Sequence, residues 1–458
     1  MLRRLLLGLL FAGIALMTTA AAAQARKPNI IFILADDLGY GDLGCYGQKQ
    51  IQTPNLDRMA KEGRRFTQFY AGSTVCAPSR CALMTGRHIG HALIRGNAKQ
   101  NLGPADLTIA EILKGSGYRT GLFGKWGLGH EGSTGTPNRK GFDEFFGYLD
   151  QTHAHNYWPT FLHRNETRVP LRNVVPNEGP VGQGVATVKV DYSHDLIAGE
   201  ALKFVESNKD RPFFLYLAVT LPHANNEGRD RGIEVPDLDQ YGSRDWPENE
   251  KLFASSVARL DRDIGRVRER LRALNLDSNT LILFTSDNGP HREGGHNPDF
   301  FDSNGPLRGI KRDLYEGGIR VPMLAVWPGK IPTGSQSDHQ GAFWDVMPTL
   351  AEVAGAPKPQ SDGISFLPSL TGKPSEQKPH EFLYWEFYEG RSSRAIRSGN
   401  WKAVCTPANG PVQLFDLATD LSETKDVAAG HPDVVRRLTM LMDREHTPSD
   451  RWKLPGER

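Results

Sequence analysis

Residues 29–35 form a near-continuous apolar run that stops abruptly at Asp36-Asp37. A half-exposed strand alternates polar and apolar positions, so an unbroken run predicts a strand covered on both faces, as in a parallel sheet flanked by helices. Two further segments repeat the pattern. Residues 211–219 run out at Pro222-His223, and residues 280–285 end in Ser286-Asp287-Asn288. Thr53-Pro54 predicts the start of a short helix that Gly63 stops. Phe253, Val257, Leu260, Ile264, Val267, Leu271 and Leu274 recur at alternating spacings of four and three, one face of a long amphipathic helix.

These signals predict an α/β chain built on a large mixed, mostly parallel sheet flanked by helices. Ligands in such sheets sit beyond the carboxyl ends of the strands. Asp, Asn and His are common in turns, and each end has a plain explanation alone. Three such ends together point to a site. A helix over residues 343–353 precedes a Pro-containing stretch. Residues 382–388, 394–397, 401–405 and 412–415 then read as short strands, followed by a helix near 434–442. The expected organisation is a catalytic domain over 26–375 and a smaller C-terminal α+β domain with a short antiparallel sheet over 376–458.

Residues 1–25 read differently. Arg3-Arg4, an apolar run over 5–17 and small residues ending Ala23-Gln24-Ala25 have the three parts of a secretory signal. No later segment approaches 18 uninterrupted apolar residues, so we expect an exported protein, periplasmic or extracellular, without integral membrane association. The full chain has 55 basic and 53 acidic residues in 458, a net charge of +2 that loss of the leader removes. That balance, with 24% charged and 38% hydrophobic residues, argues against disorder and against a basic nucleic-acid-binding domain. The four cysteines are Cys45, Cys76, Cys81 and Cys405. For an exported chain the plain expectation is one bridge plus buried thiols.

The segment Cys76-Ala77-Pro78-Ser79-Arg80, followed by Thr85-Gly86-Arg87, changes the weight given to Cys76. It resembles the signature of the type I sulfatases, an arylsulfatase A-like family of the alkaline phosphatase superfamily. Asp36-Asp37, Gly124-Lys125-Trp126, Pro222-His223, Asp287-Asn288-Gly289, Lys311 and Tyr315-Glu316-Gly317-Gly318-Ile319-Arg320 occur in the order the family pattern has them. The resemblance implies an alkaline phosphatase-like fold and a sulfuric ester hydrolase. It also implies oxidation of Cys76 to formylglycine by a separate maturation enzyme. Asp36, Asp37, Asp287 and Asn288, with the side chain made from Cys76, would ligate a divalent ion. Three carboxylates and an amide favour Ca²⁺ or Mg²⁺ over zinc, and the resemblance favours Ca²⁺.

Cleaving a sulfate ester needs a strong nucleophile, cationic stabilisation of the sulfuryl oxygens and a proton for the leaving alcohol. A hydrated aldehyde supplies the first and can release sulfate by collapse to the aldehyde. A thiol has no comparable way back. Arg80, one turn past Cys76 on a helix expected to begin near Pro78, would hold the modified side chain. By resemblance Lys125 and Lys311 would contact the sulfate, and His223 would protonate the leaving oxygen, a role suited to an imidazole titrating near neutrality.

The pattern departs from the family at one position. Many members have histidine in Gly-Lys-Trp-His-Leu-Gly, where this chain has Gly127. Lys125, another histidine or metal-bound water is expected to take over the second proton transfer. His155, Trp158, Asn226, His291 and Arg292 lie in loops mixing hydrogen-bonding groups and aromatic faces, which suit a sulfated saccharide, with aryl sulfates as surrogates. Two alternatives stand beside this reading. One is a phosphonate or phosphate monoester hydrolase on the same scaffold. The other is an inactive sulfated-glycan-binding protein in which Cys76 stays a thiol or pairs with Cys81.

Overall fold

The computed structural model describes residues 26–457, and the expected secretory signal lies outside them. The strands are β1 (Asn29–Asp36), β2 (Arg64–Tyr70), β3 (Arg119–Lys125), β4 (Glu144–Tyr148), β5 (Phe161–Arg164), β6 (Thr167–Pro170), β7 (Phe213–Pro222), β8 (Thr280–Ser286), β9 (Arg320–Val326), β10 (Ser335–Ser337) and β11 (Gly341–Ala342), then β12 (Leu383–Phe387), β13 (Ser393–Ser398), β14 (Trp401–Cys405) and β15 (Val412–Asp416). The α-helices are α1 (Pro54–Glu62), α2 (Cys76–Thr85), α3 (Ile109–Gly115), α4 (Ser193–Ser207), α5 (Glu248–Ala273), α6 (Glu316–Ile319), α7 (Val346–Val353), α8 (Leu367–Leu370) and α9 (Pro432–Glu445).

The large sheet runs β10-β2-β9-β8-β1-β7-β3-β4-β5-β6, with β11 beside β2. Its centre, β8-β1-β7-β3-β4, is all parallel, and β9 and β5 join antiparallel on either side. The apolar run of β1 is fully buried because both faces are covered. Ile30, Phe32 and Leu34 pack into one core with residues of α2, α3 and α7. Ile31, Ile33 and Ala35 pack into the other with α1, α4 and α5. Burying each of the larger side chains contributes roughly 1.5–3 kcal/mol. On α5, the predicted stripe from Phe253 to Leu271 is buried, and only Leu274, just past the helix, is partly open.

Register brings the strand ends together. Asp36 of β1 lies opposite Pro222 of β7, Ala35 opposite Ser286 of β8, and Gly124 of β3 opposite Ala218 of β7. Four of these parallel strands, β1, β3, β7 and β8, therefore deliver Asp36, Lys125, His223 and Asp287 to one edge.

The small sheet, β12-β13-β14-β15, is antiparallel throughout and lies after the expected boundary at 375/376. Tyr384, Ile396, Ala403 and Leu414 pack against Leu438 and Met442 of α9. Leu383, Trp385, Ala395, Val404 and Phe415 instead join the core beneath the large sheet, so the two units share apolar contacts.

Candidate active site

Asp36 ends β1, and Asp37 follows in a left-handed conformation at φ 64°, which a short polar side chain tolerates. That turn is held from β8: the Asp37 N–H donates to Asp287 Oδ1 at 3.1 Å and the Leu38 N–H to Ser286 Oγ at 2.8 Å. Asn288 donates from Nδ2 to Asp37 Oδ1 at 2.7 Å, while its Oδ1 is buried without a partner. Potential ligand atoms of Asp36, Asp37, Cys76 and His223 all lie within 4.8 Å of one another, and all four residues are buried. An orphaned amide oxygen beside three carboxylates is a hard-oxygen set that fits Ca²⁺ or Mg²⁺.

Helix α2 starts at Cys76, two residues earlier than the proline suggested. Pro78 remains within the first turn, where its missing N–H leaves no helical bond unmade. Cys76 Sγ lies 3.4 Å from Asp36 Oδ1. Arg80, one turn on, grips Asp287 Oδ2 through Nε at 3.0 Å and Nη2 at 2.8 Å, reaches Asp36 at 3.4 Å, and donates through Nη1 to Lys125 O at 2.9 Å. Cys45, Cys76, Cys81 and Cys405 are all unbridged, correcting the expected disulfide. Cys76 and Cys81 lie on one helix about 140° apart by helical spacing, so a bridge between them is geometrically poor.

Lys125 ends β3 with Nζ 2.6 Å from Asp36 Oδ2. The preceding Gly124 sits at φ +121°, and a Cβ there would lie 1.9 Å from Ala218 O. Glycine therefore lets β3 approach β7 where the lysine turns into the site. Lys311 Nζ lies 2.8 Å from Asp37 Oδ2, 2.9 Å from Glu293 Oε2 and 3.2 Å from His223 Nε2.

Electrostatics sort these groups. Burial alone would raise Asp36, but Lys125, His223 and Arg80 more than reverse it and hold the carboxyl well below its usual range. Asp287 is pushed up by burial and by the charge of Asp36, even though it carries the Arg80 fork. Carboxylates crowded this closely favour a bound cation. Burial, reinforced by Asp36, also drives the Cys76 thiol well above its ordinary value. The unmodified thiol is therefore un-ionised at neutral pH and a poor nucleophile.

His223 differs from its expectation. Its Nδ1 lies 2.5 Å from Ala224 O, so Nδ1 carries the hydrogen and Nε2 offers a lone pair to the Lys311 ammonium. Burial and the Lys311 charge hold the imidazole well below its ordinary range, so it is neutral rather than poised near pH 7. Lys311 and His223 thus face each other across one contact, Nζ to Nε2 at 3.2 Å.

Cys76, Lys125, His223 and Lys311 open into a cavity of about 380 Å³, which His155 and Asn226 also line. His130 and Gln151 also line the cavity, which adds residues the sequence reading missed, among them Asn97, Lys99, Arg312 and Glu389. His155 stacks on His223 at 5.0 Å and bonds Glu227 at 3.3 Å. Trp158 is not at the cavity: it is buried against Tyr192 at 4.9 Å, because an indole in a loop gains more from the core than from solvent. His291 is fully buried between His223 and Phe253. Arg292 points to solvent, paired with Asp299 at 2.5 Å, beside a shallower depression that Asn226 also lines. Another cavity of about 420 Å³ lies near Pro348 and Lys378, and none of the strand-end residues reaches it.

At Gly127, φ is +78° and a Cβ would lie 1.9 Å from Gln151 Nε2, so the Gln151 amide fills the space that a side chain at 127 would enter. His130 lines the same cavity. Its Nδ1 is 3.2 Å from Asp150 Oδ2, and its Nε2 is buried without a partner. Asp150 is fixed by the N–H groups of Thr152 at 2.7 Å and His153 at 3.3 Å. Burial would raise it, but His130 and those donors lower it to about 2. The cavity thus holds two further imidazole–carboxylate pairs.

Residues 28–356 match the family model described as Sulfatase, and residues 309–446 match the one described as N-sulphoglucosamine sulphohydrolase, C-terminal. Human arylsulfatase A is 33% identical, over 93% of this chain and 89% of its own length. An N-acetylgalactosamine-6-O-sulfatase of Bacteroides thetaiotaomicron is 31% identical, over 96% and 98%. The crystal structure of Ps i-CgsB in complex with k-i-k-neocarrahexaose superposes with a TM-score of 0.79 at 30% identity, covering 94% of this chain and 96% of that one.

Proposed function

Because this chain belongs to the sulfatase family and is a sulfuric ester hydrolase, we propose that it removes a sulfate ester from a sulfated saccharide, using the side chain of residue 76 after its oxidation to formylglycine. The observation that carries this reading is the setting of Cys76. It is the first residue of a helix, beside three carboxylates and three cations, in a form too buried to ionise as a thiol.

When bound, a Ca²⁺ ion held by Asp36, Asp37, Asp287 and Asn288 would lower the pKa of a hydroxyl on the hydrated aldehyde and offset the charge of the incoming ester. The protein's own groups do the rest. Arg80, locked by Asp287 and the Lys125 carbonyl, fixes the side chain at 76 against the carboxylates. Among the described residues Lys125 has a single ion-pair partner, Asp36, so the remaining donors of its ammonium are available to sulfuryl oxygens. Lys311 and His223 hold a proton between Nζ and Nε2, beside the cavity where the ester oxygen departs, and that pair protonates the leaving alcohol.

A saccharide substrate is supported by the polar cavity lining and by relatives named for sulfated sugars. Maturation by a formylglycine-generating enzyme, and export to the periplasm or exterior, follow from the signature at Cys76 and the leader pattern over 1–25. The test is production with and without such an enzyme, mass analysis of the peptide containing residue 76, and release of inorganic sulfate from defined sulfated mono- and disaccharides. Activity is expected to track the aldehyde form, and Cys76→Ala to fall on the order of a thousandfold or more. Full activity from material with an intact thiol would refute the nucleophile. Sulfate release from aryl sulfates alone would refute the saccharide.

A further inference from the structure

Far from the cysteine, the turn after α2 contains His88 and His91, spaced three apart. Ligand atoms of these two and of Asp362 all lie within 4.8 Å of one another. His91 Nδ1 is 3.0 Å from Asp362 Oδ2, and His88 Nε2 is 3.9 Å from that oxygen and 3.4 Å from Glu445 Oε2. Donor atoms about 2.1 Å from a tetrahedral ion lie about 3.4 Å apart, so these separations straddle the edge of a zinc coordination polyhedron. The donor set also differs in kind from that of the active site: imidazole and carboxylate suit zinc, whereas an all-oxygen set suits calcium.

Backbone contacts hold the four residues in place. The Asp362 N–H donates to Gly86 O at 2.8 Å, and the His88 N–H returns to Asp362 Oδ2 at 3.0 Å. The Thr447 N–H donates to Gly90 O at 3.1 Å, and a Cβ at Gly90 would lie 2.1 Å from Glu445 O, so the end of α9 is seated directly on the turn. Each carboxylate turns one oxygen outward toward an arginine, Arg87 for Asp362 and Arg444 for Glu445, and the other inward to the imidazoles. His88 is 4% exposed and its Nδ1 has no partner, so the Nε2 contacts and ring packing alone hold this buried ring. His91, 28% exposed at its side chain, leaves a route in from solvent.

We propose that His88, His91 and Asp362 form a second metal site for a transition ion such as Zn²⁺, with solvent completing a tetrahedral set at the open side of His91, tying the segment around Asp362 to the turn after α2. The test titrates the full mature protein with Co²⁺ in excess Ca²⁺, which keeps the all-oxygen site filled, and follows the intense visible absorption of tetrahedral cobalt. The absorption should grow to one equivalent and be bleached by Zn²⁺. His91→Ala, at the partly exposed position, and Asp362→Asn should each weaken binding by at least about tenfold. No absorption band in the parent protein would overturn the proposal. So would binding of undiminished strength in both variants, each checked by circular dichroism for its native fold.

Discussion

His130 and Gln151 occupy the ground beside Gly127, and only one of them can move a proton. With Nδ1 tied to Asp150 and Nε2 buried without a partner in the cavity wall, His130 has the arrangement of an oriented general acid–base. His130→Ala is therefore expected to lower kcat for sulfate release by about a hundredfold or more with KM nearly unchanged. An unchanged kcat would return the second proton transfer to Lys125. Asp42 gives a prediction about stability. It is fully buried, one of its oxygens accepts the Gly39 N–H at 2.7 Å, the other has no partner among the described residues, and burial raises it to about 6 against the lowering effect of that N–H. An acid whose folded pKa exceeds its unfolded one stabilises the fold below the unfolded value and loses that contribution as pH rises through the folded value. Between about pH 4 and 6 this removes on the order of 3 kcal/mol. Asp42→Asn should remove the loss, so thermal melts should show the variant matching the parent at pH 4 and exceeding it at pH 7. A variant less stable at pH 7 would contradict the assignment. Asp36, Cys76, Lys125 and Asp287 were legible in sequence because they sit at strand or helix ends, where local pattern dictates position, and Arg80 because it lies one helical turn past Cys76. Trp158, His291 and Arg292 were not, because the composition of a loop does not determine which of its side chains face a cavity.

At the scale of elements, the parallel strands were readable because burial on both faces removes polar residues from a strand until its end. The unbroken runs of β1, β7 and β8 therefore marked both the sheet and the edge where the site forms. The docking of the small sheet was not readable, since it depends on buried ion pairs between segments far apart in the chain. Lys402 of β14 lies 2.9 Å from Glu316 Oε1 of α6 and 3.0 Å from Glu423 Oε1, and Glu423 accepts the Glu316 N–H at 2.6 Å. All three residues are fully buried. Burial holds Glu423 above its usual value, and Lys402 works against the shift. Removing the lysine would strand Glu423 in the interior and leave Glu316 to Arg320, Arg397 and the Tyr70 hydroxyl. Lys402→Met is thus expected to destabilise the protein by about 3–5 kcal/mol, read from denaturant unfolding. Replacing Lys402 and Glu423 together with apolar residues should cost much less, because Glu316 keeps Arg320 at 3.2 Å and Arg397 at 4.0 Å and no unpaired charge then remains. A single variant as stable as the parent would show that the small sheet docks through its apolar face alone.

For the molecule as a whole, the question is whether the active-site ion holds the fold or serves the chemistry. The balance of charge around the strand ends decides it. Asp36, Asp37 and Asp287 face Arg80, Lys125 and Lys311 at 2.6–2.8 Å, one strong ion pair for each carboxylate. A formally neutral cluster does not force the strands apart when the divalent ion leaves. The main support of the molecule lies elsewhere, in the apolar packing on both faces of the large sheet. Chelation is therefore expected to abolish sulfate release while leaving cooperative unfolding intact. Because an ion binding only the folded state at a hundredfold its Kd adds about 2.7 kcal/mol, restoring Ca²⁺ should raise the melting temperature by a few degrees and recover activity in the same titration. Loss of cooperative unfolding under chelation would show that the three cations cannot replace the ion, making it a structural element. Activity that survives chelation would show that Arg80, Lys125 and Lys311 suffice for the ester, leaving the crowded carboxylates without a chemical role.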